Sequence, residues 1–450
     1  MAQRKLLPAL YQLKRMGYLP EQTKIVGISR REVDSTTVFQ NLEQYTDEPF
    51  DSATAQTLIE MTNMFQMDLD NKESYARLYE RIEQLDKSED PAVRLYYLSI
   101  PPAVFQPLVK LLGETGHNSS PYGKDLARLL VEKPFGFDIE SAKELINTAD
   151  TYFDETQIYR IDHYVAKETV QNILTFRFEN PLFEAVWDKD HIDHITVLAH
   201  EKLGIEGRVA FYEQTGAVRD LIQSHLLQLL AITTMVKPER LDSADIHEEK
   251  LRLLKAITPI SSDTASTKAV RGQYDGYRGE VNNPDSHVET FAQLQIEINN
   301  EQWRGVPIII ETGKALAEKT TEITVCFAQP ITESHEHNRL VFRIQPNEGI
   351  TMLLQVKRPG VENRTETAEM DFTYEAAFNE RHADAYERVL VDAFRGDHTL
   401  FATADEVLAS WEIIEGVVQR WTHSSDDLLV YEQGSSGPDI SLNPHHHKKT

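Results

Sequence analysis

The sequence predicts two folded parts, a doubly wound α/β domain followed by an α+β domain with a large antiparallel sheet. In the first third of the chain, short β-branched runs alternate with helical stretches, which is typical of parallel strands joined by helices. From Glu289 onward, strand-like runs follow one another closely, as antiparallel strands do. A length of 450 residues exceeds one simple core and agrees with two domains.

The first domain is predicted to cover residues 1–162. Apolar residues at helical spacing indicate its first helix, and Pro8 lies near the start of that helix, where proline is tolerated. The predicted helices are Leu6–Met16, Ala53–Met67, Ser74–Leu85, Val104–Leu112 and one that begins at Ser141. The predicted strands are Lys24–Ser29, Arg94–Ile100, Ala127–Glu132 and Ile158–Ile161.

The second domain is predicted to cover residues 163–432. Its predicted helices are Lys167–Arg177, Val218–Val236, Ala383–Phe394 and Ala404–Val417. Its predicted strands are Ile192–Ala199, Thr290–Ile298, Val306–Glu311, Glu322–Phe327, Leu340–Gln345 and Thr351–Val356. Residues 433–450 are rich in Gly, Ser, Pro and His and are predicted to be a disordered tail, in which the run His445–His447 is solvated rather than a metal site.

The composition argues against several classes of function. A net charge of -26 speaks against nucleic acid or an anionic membrane as a partner, although a local basic pocket can still bind an anionic small molecule. The chain has no apolar run long enough to predict a membrane span. The one cysteine, Cys326, excludes an internal disulfide framework and lies in an apolar run that predicts a buried structural thiol.

The cysteine usage also fits a reducing compartment, and we expect a cytoplasmic protein. The first twenty residues contain Arg and Lys but no acid, a composition that a transit peptide can also have. We favour the first helix of the fold as the interpretation of these residues, because their apolar positions recur at helical spacing.

The segment Arg160–Glu168 is a candidate for binding a phosphate. It lies where a predicted strand ends and a helix begins, the position at which doubly wound folds collect ligands. His163, Tyr164 and Lys167 could converge on a phosphate, and the helix N-terminus would add donors. The residues alone leave open a second interpretation, a capped helix start with solvated charges.

His225 is a candidate general base. It lies on an apolar stripe of the predicted helix Val218–Val236, where a histidine is more often a satisfied core residue. If it is catalytic, burial would disfavour its charged form, as a general base requires. A carboxylate on its other ring nitrogen would fix the tautomer and stabilise the imidazolium.

Two basic residues are candidates for binding a cofactor. Arg30 follows the strand Lys24–Ser29, whose end meets the adenosine ribose in doubly wound folds. An arginine there accepts a 2′-phosphate, which favours NADP over NAD, and no acid intervenes before Glu32. Lys133 follows a buried strand and could face a cofactor or a sugar hydroxyl, but it could equally be a loop charge.

Nine segments occur in one order along the chain and together resemble the glucose-6-phosphate dehydrogenase family over nearly its whole length. The segments are RKLLPALYQLKRMGYLPEQTKIVGISR, LYYLSIPPAVF, VEKPFGFDIESAKEL, QIYRIDHYVAKETVQNILTFRFEN, EGRVAFYEQTGAVRDLIQSHLLQ, VRGQY, VETFAQL, GVPIIIETGKAL and DAFRGDHTLF. The resemblance implies a Rossmann-like dinucleotide-binding domain, NADP as cofactor, glucose 6-phosphate as substrate and a homodimer or homotetramer. The implied reaction is hydride transfer from C1 of the sugar to the nicotinamide, which yields 6-phospho-D-glucono-1,5-lactone in the first step of the oxidative pentose phosphate pathway.

The resemblance also implies a role for each residue that matches a family motif. His225 matches the general base for the C1 hydroxyl, and Asp162 matches the carboxylate that orients this histidine. Substrate contacts are implied for His163, Tyr164 and Lys167 at the phosphate, for Glu201 and Asp220 at sugar hydroxyls, and for Lys314 and Lys319. Cofactor contacts are implied for Arg30 at the 2′-phosphate, for Lys133 between cofactor and substrate, and for Lys5. No metal is implied.

The sequence departs from the family pattern at three places. Tyr164–Glu168 reads YVAKE where the family has YLGKE, and the stretch Gln273–Val288 looks short. The family's fold opens with a strand and a G-x-x-G-D-L-A loop before R/K-K-L-x-P, whereas here Arg4-Lys5-Leu6 follows Met1 closely. We therefore expect a Rossmann-like domain that lacks its first strand and its pyrophosphate loop, with Met1 marking a misplaced start.

Two other interpretations stay open at this point. One is a sugar-phosphate-binding relative that has lost its cofactor loop and its activity. The other is a different NAD(P)-dependent sugar oxidoreductase, because a Glu-Lys-Pro after a Rossmann strand also occurs in that wider group. The binding relative would have affinity for a sugar phosphate but none for NADP. The other oxidoreductase would prefer an unphosphorylated sugar.

Overall fold

The computed structural model describes residues 2–46, 49–86, 92–328, 337–378, 381, 383–439 and 442. The chain divides into two compact units. The first unit comprises Met1–Gly136, Glu140–Ala166 and Ala383–Ala404, and the second unit comprises Phe137–Ile139, Lys167–His382 and Asp405–Thr450.

The helices and strands have the following bounds. The helices are α1 (Leu6–Arg15), α2 (Ser35–Phe39), α3 (Ser52–Met61), α4 (Lys72–Leu85), α5 (Pro102–Glu114), α6 (Ile139–Tyr152), α7 (Glu168–Phe178), α8 (Pro181–Glu184), α9 (Val209–Ala217), a π-helix (Val218–Leu226), α10 (Leu227–Thr234), α11 (Ser243–Ala256), α12 (Ala265–Lys268), α13 (Tyr277–Glu280), α14 (Tyr374–Phe378), α15 (Ala385–Arg395) and α16 (Ala404–His423). The strands are β1 (Ile25–Ser29), β2 (Thr62–Gln66), β3 (Arg94–Leu98), β4 (Ala127–Val131), β5 (Ile158–Ile161), β6 (Ile192–His200), β7 (Ala269–Tyr274), β8 (Phe291–Ile296), β9 (Ile308–Gly313), β10 (Thr320–Phe327), β11 (Arg339–Gln345), β12 (Gly349–Lys357), β13 (Thr365–Thr373), β14 (Phe401–Ala402) and β15 (Leu428–Tyr431).

The first unit has the parallel strands and connecting helices of a Rossmann-type domain, which confirms the predicted fold class. Strands β3, β4 and β5 run parallel to one another, and β14 joins β5 in the antiparallel direction. Strands β1 and β2 form a separate parallel pair, in which Ile25 lies opposite Thr62. In the part of the chain that the structure describes, β1 and β3 do not pair, so the parallel strands form two sheets.

Strand β2 corrects the predicted helix Ala53–Met67. Helix α3 begins as predicted, with the Asp51 carboxylate accepting the first N–H groups, but it ends at Met61. The next five residues pair with β1, more than thirty residues earlier in the chain. The prediction was wrong here because pairing with a distant strand overrode a local helical pattern.

Residues 383–404 belong to the first unit, although the sequence predicts them within the range 163–432. Strand β14 extends the sheet, since Phe401 lies opposite Ile161. The Arg128 guanidinium on β4 donates hydrogen bonds to the carbonyls of Ala393 (2.6 Å) and Phe394 (2.9 Å) near the end of α15. These partners are more than 260 residues apart in sequence, which is why the periodicity of the chain did not indicate the contact.

The second unit contains the large antiparallel sheet, as predicted. Its nine strands follow the order β13-β12-β11-β10-β6-β9-β8-β7-β15. All neighbours are antiparallel except the pairs β6–β9 and β7–β15, which are parallel. Burial alternates along β10 and β11, so one face of these strands packs into the core. Strands β7, β13 and β15 were not predicted from the sequence.

The predicted disordered tail is wrong for residues 433–439, in which backbone groups form hydrogen bonds with the loop between β9 and β10. The Gly434 N–H donates to the Ala315 carbonyl (2.8 Å), and the Ala317 N–H donates to the Ser435 carbonyl (2.8 Å). Glycine-rich composition therefore did not prevent order, because backbone groups of a neighbouring loop supply the partners. The run His445–His447 lies outside the described residues.

Three further observations concern the described part of the chain. Cys326 is buried in β10, as expected, and burial raises the pKa of its thiol to about 12. None of the helices there has the length and hydropathy that a membrane crossing requires. Within the same residues, no group of three or more His, Cys, Asp or Glu side chains is arranged to hold a metal ion.

Candidate active site

The predicted site residues divide between the two units. The first unit contains Lys5, Arg30, Lys133, Asp162, His163 and Tyr164. The second unit contains Lys167, Glu201, Asp220, His225, Lys314 and Lys319.

Asp162 follows the carboxyl end of β5, the edge at which parallel strands present ligands. Its side chain is buried, and Oδ1 accepts hydrogen bonds from the N–H groups of Tyr164 (2.9 Å) and Val165 (3.4 Å). These bonds fix the orientation of the carboxylate in a tight turn. The His163 ring lies against the Tyr164 ring, with 5.0 Å between the ring centroids. The structure therefore brings three of the predicted residues together at one strand end.

Tyr386, on α15, connects several residues of the first unit and was not predicted as a site residue. Its ring is stacked at 6.4 Å on the ring of His163, and the Lys5 ammonium lies 6.0 Å from its centroid. Its hydroxyl donates a hydrogen bond to the carboxyl group of Glu132, the residue before Lys133. Burial raises the pKa of the Glu132 carboxyl, although Tyr97 and Lys133 oppose that shift. No sequence motif marks Tyr386, because its contacts come from a segment that returns to this unit late in the chain.

Arg30 is exposed just beyond the carboxyl end of β1, as the sequence predicts. Gln66, at the end of the neighbouring strand β2, donates to the Arg30 carbonyl (3.2 Å) and holds the backbone while the guanidinium remains accessible. An exposed arginine at this strand end fits the 2′-phosphate of NADP.

A π-helix in the second unit carries Asp220 and His225. The predicted single helix Val218–Val236 is therefore two helices in sequence, the π-helix and α10. The Leu227 N–H that closes the π-helix donates to the Ile222 carbonyl, five residues earlier. Residues five apart in sequence are neighbours on the surface of a π-helix. The side chains of Asp220 and His225 therefore lie on the same face of this helix, one turn apart. His225 is 1% exposed, so its imidazole is shielded from bulk water.

The C-terminal end of α10 is held by buried side-chain donors. The Arg177 guanidinium donates to the carbonyls of Ile232 (2.9 Å) and Met235 (2.8 Å). The carbonyls of the two residues between Ile232 and Met235 accept hydrogen bonds from the indole N–H groups of Trp187 (2.9 Å) and Trp303 (2.6 Å). The carbonyl groups that a helix end leaves without partners are satisfied here by groups from outside the helix.

Lys314 is the centre of the predicted substrate contacts. Its side chain is almost fully buried, and its ammonium forms ion pairs with Glu201 and with Asp220, the latter at 3.5 Å. The same ammonium lies 5.0 Å from the ring centroid of Tyr212. The structure thus brings together one lysine and two carboxylates for which the resemblance implies substrate contacts. Lys319 is exposed and immediately precedes β10.

Lys167 lies immediately before α7, and its ammonium donates to Gln345 Oε1 (2.8 Å). Gln345 in turn donates from Nε2 to Thr321 Oγ1 (2.9 Å), so the amide is fixed at both ends. The amide therefore orients the lysine that the sequence predicts at the substrate phosphate. Gln345 was missed from the sequence because a glutamine at a strand end has no distinctive spacing.

The parallel strands and connecting helices of the first unit define a class, that of proteins with a dinucleotide-binding Rossmann-type domain. Residues 1–172 match the family model described as glucose-6-phosphate dehydrogenase, NAD binding domain. Residues 174–449 match the model described as glucose-6-phosphate dehydrogenase, C-terminal domain. The chain therefore belongs to the glucose-6-phosphate dehydrogenase family, and the resemblance stated from its motifs is confirmed.

Individual relatives agree with this assignment. A glucose-6-phosphate 1-dehydrogenase from Chlamydia pneumoniae is 38% identical over 97% of this chain and 90% of the relative. A solved glucose-6-phosphate dehydrogenase in complex with its substrate glucose 6-phosphate is 34% identical, with a TM-score of 0.89 over 97% of this chain and 93% of that one. The glucose-6-phosphate 1-dehydrogenase structure from Mycobacterium avium is 32% identical, with a TM-score of 0.84 over 97% and 92%.

Proposed function

We propose that this protein oxidises glucose 6-phosphate at C1 to 6-phospho-D-glucono-1,5-lactone with NADP as the oxidant. The observation that carries the proposal is the Lys314–Glu201–Asp220 cluster in the same unit as the π-helix that bears His225. An ammonium between two carboxylates offers donors and acceptors to sugar hydroxyls, and family membership supports this assignment.

In this proposal His225 accepts the proton of the C1 hydroxyl while the C1–H bond breaks and its electron pair leaves as hydride. NADP, when bound, supplies the acceptor for that hydride. The role that the resemblance gives to Asp162, orientation of the catalytic imidazole, stays part of the proposal. Burial of His225 supports the assignment, because an imidazole shielded from bulk water exchanges its proton with the bound substrate rather than with solvent.

The substrate phosphate is assigned to Lys167, His163 and Tyr164. The ammonium of Lys167 is already oriented by Gln345, so little freedom is lost when it binds an anion. Glu201 and Asp220 are assigned to sugar hydroxyls, with Lys314 offsetting one of their two negative charges. Lys319 is assigned to the substrate by resemblance alone.

The cofactor is assigned to Arg30 at the 2′-phosphate, with Lys133 and Lys5 as further contacts. Arg30 supports NADP rather than NAD, since its exposed guanidinium can pair bidentately with a phosphate. We also propose a cytoplasmic homodimer or homotetramer. Exposed apolar side chains on the outer strands of the large sheet, among them Val356 and Met370, support association through that face.

Initial rates of nicotinamide reduction with a substrate panel test the proposal. We expect activity with glucose 6-phosphate and NADP, and much less with unphosphorylated glucose or with NAD. Preference for an unphosphorylated sugar would favour the other sugar oxidoreductase instead. Affinity for glucose 6-phosphate without measurable affinity for NADP, by calorimetric titration, would favour the non-catalytic binding relative.

A further inference from the structure

The N-terminal end of the π-helix is attached to one buried acid, Glu289. The N–H of Ala217 donates to the Glu289 backbone carbonyl (3.0 Å), and the N–H of Val218 donates to Glu289 Oε1 (3.1 Å). Glu289 is 5% exposed, so these bonds are protected from water. A single residue thus satisfies two N–H donors at the start of the helix that carries Asp220 and His225.

Gly216 makes this attachment possible. Its backbone has φ 61° and ψ -175°, a conformation that residues other than glycine rarely adopt. A Cβ atom at this position would lie 2.3 Å from Oε1 of Glu289, well inside contact distance. The chain therefore changes direction into the π-helix at a point where only glycine allows the carboxylate to approach.

The residue after Glu289 holds the opposite side of the polar cluster. The Lys314 N–H donates to the Thr290 carbonyl (2.8 Å), and the Thr290 N–H donates to the Gly272 carbonyl (2.8 Å). The Lys314 ammonium lies 3.5 Å from Asp220. The dipeptide Glu289–Thr290 is therefore bonded to the helix on one side and to the lysine on the other, and it sets the spacing between them.

We propose that Glu289 is a positioning residue for His225 and Asp220. It fixes the rotation of the π-helix by holding the N–H of Val218, and it does so without touching the substrate. π-Helices are rare, and conversion of this segment to α-helical hydrogen bonding would separate residues five apart on the helix surface. This inference rests on the proposed role of His225 as the base.

The variants E289A, E289Q and G216A test the proposal in the full chain, with kcat and KM measured per folded protein. E289A removes the acceptor, and G216A displaces the carboxylate, so we expect both to lower kcat about 10- to 100-fold, the effect of a misplaced catalytic group. E289Q keeps a side-chain oxygen that can accept from the Val218 N–H, so its kcat is expected to stay within about fivefold of the parent's. Affinity for NADP is expected to be unchanged in all three.

Gly207 provides a matched control, because it also has a positive φ (76°), whereas no neighbouring atom lies within 4 Å of the position that a Cβ would take there. G207A is expected to keep the parental kcat. A kcat equal to the parent's in E289A would overturn the proposal, and so would a loss of activity in E289Q as large as that in E289A.

The variant H225N distinguishes the proposed role of His225 as the base from the positioning role of Glu289. If H225N is as active as the parent, the assignment of the base fails and this inference with it, whereas inactive H225N beside normal E289A refutes the positioning role alone.

Discussion

The buried ion pair between α11 and α16 gives a prediction whose size follows from the structure. The Lys250 ammonium lies 2.9 Å from Glu406, and the two side chains are 2% and 0% exposed. His247 adds a contact of 2.7 Å to the same carboxylate. Lys250→Met removes the ammonium and leaves Glu406 buried. We expect the free energy of unfolding at neutral pH to fall by about 3–5 kcal/mol, the usual result of breaking a buried pair from one side.

The pH dependence of this loss has a definite sign. Burial alone would raise the pKa of Glu406, but Lys250 and His247 outweigh it, so the net shift is downward. A carboxyl with a lowered folded-state pKa stabilises the protein above its unfolded pKa, and that stabilisation disappears as the pH falls through the folded pKa. The difference between the parent and K250M should therefore be largest at neutral pH and should narrow in acid, as the Glu406 carboxyl becomes protonated in the folded proteins.

Urea unfolding followed by tryptophan fluorescence measures this loss, because all tryptophans of the chain belong to the second unit. They are Trp187, Trp303, Trp411 and Trp421. Lys255→Met is the matched control, since Lys255 is exposed on the same helix and should change stability by less than about 0.5 kcal/mol. Equal unfolding free energies for K250M and K255M at neutral pH, or a difference that widens in acid, would refute the reasoning.

Three further predictions follow from individual contacts. Lys167→Met should raise KM for glucose 6-phosphate about 10- to 100-fold, the equivalent of one charge-assisted hydrogen bond, and an unchanged KM in steady-state assays would contradict its role at the phosphate. Arg30→Ala should lower the ratio of kcat/KM for NADP over NAD by about tenfold or more, and a ratio equal to the parent's would exclude Arg30 from the 2′-phosphate. Arg177→Met leaves two helix carbonyls without its guanidinium and should cost about 2–6 kcal/mol of unfolding free energy, whereas an unchanged urea midpoint would count against the capping role.

The periodicity of the chain was sufficient for the fold class, because helices and strands with one buried face are local patterns. It failed where a distant partner decided the outcome. β2 was predicted as helix because its strand partner, β1, lies far away in sequence. Residues 383–404 were predicted in the second domain because nothing local indicates that β14 pairs with β5.

The candidate site shows the same division. The motifs around Asp162, His225 and Lys314 could be recognised in the sequence, because their residue types and order are characteristic of a family. Gln345 and Glu289 could not, since the hydrogen bonds that connect them to Lys167 and to the π-helix join residues far apart in sequence. An acid before a strand has the same local appearance whether it caps a helix or faces solvent.

The sequence by itself determined the family, the alternation of strands and helices, and the identity of the residues proposed for acid–base chemistry and phosphate binding. The tertiary structure alone decided that the helix of His225 begins as a π-helix, and that it is held by a buried acid at one end and by an arginine and two indoles at the other. The physical reason is that side-chain periodicity records which face is buried. It does not record which donor meets which acceptor once distant segments come together.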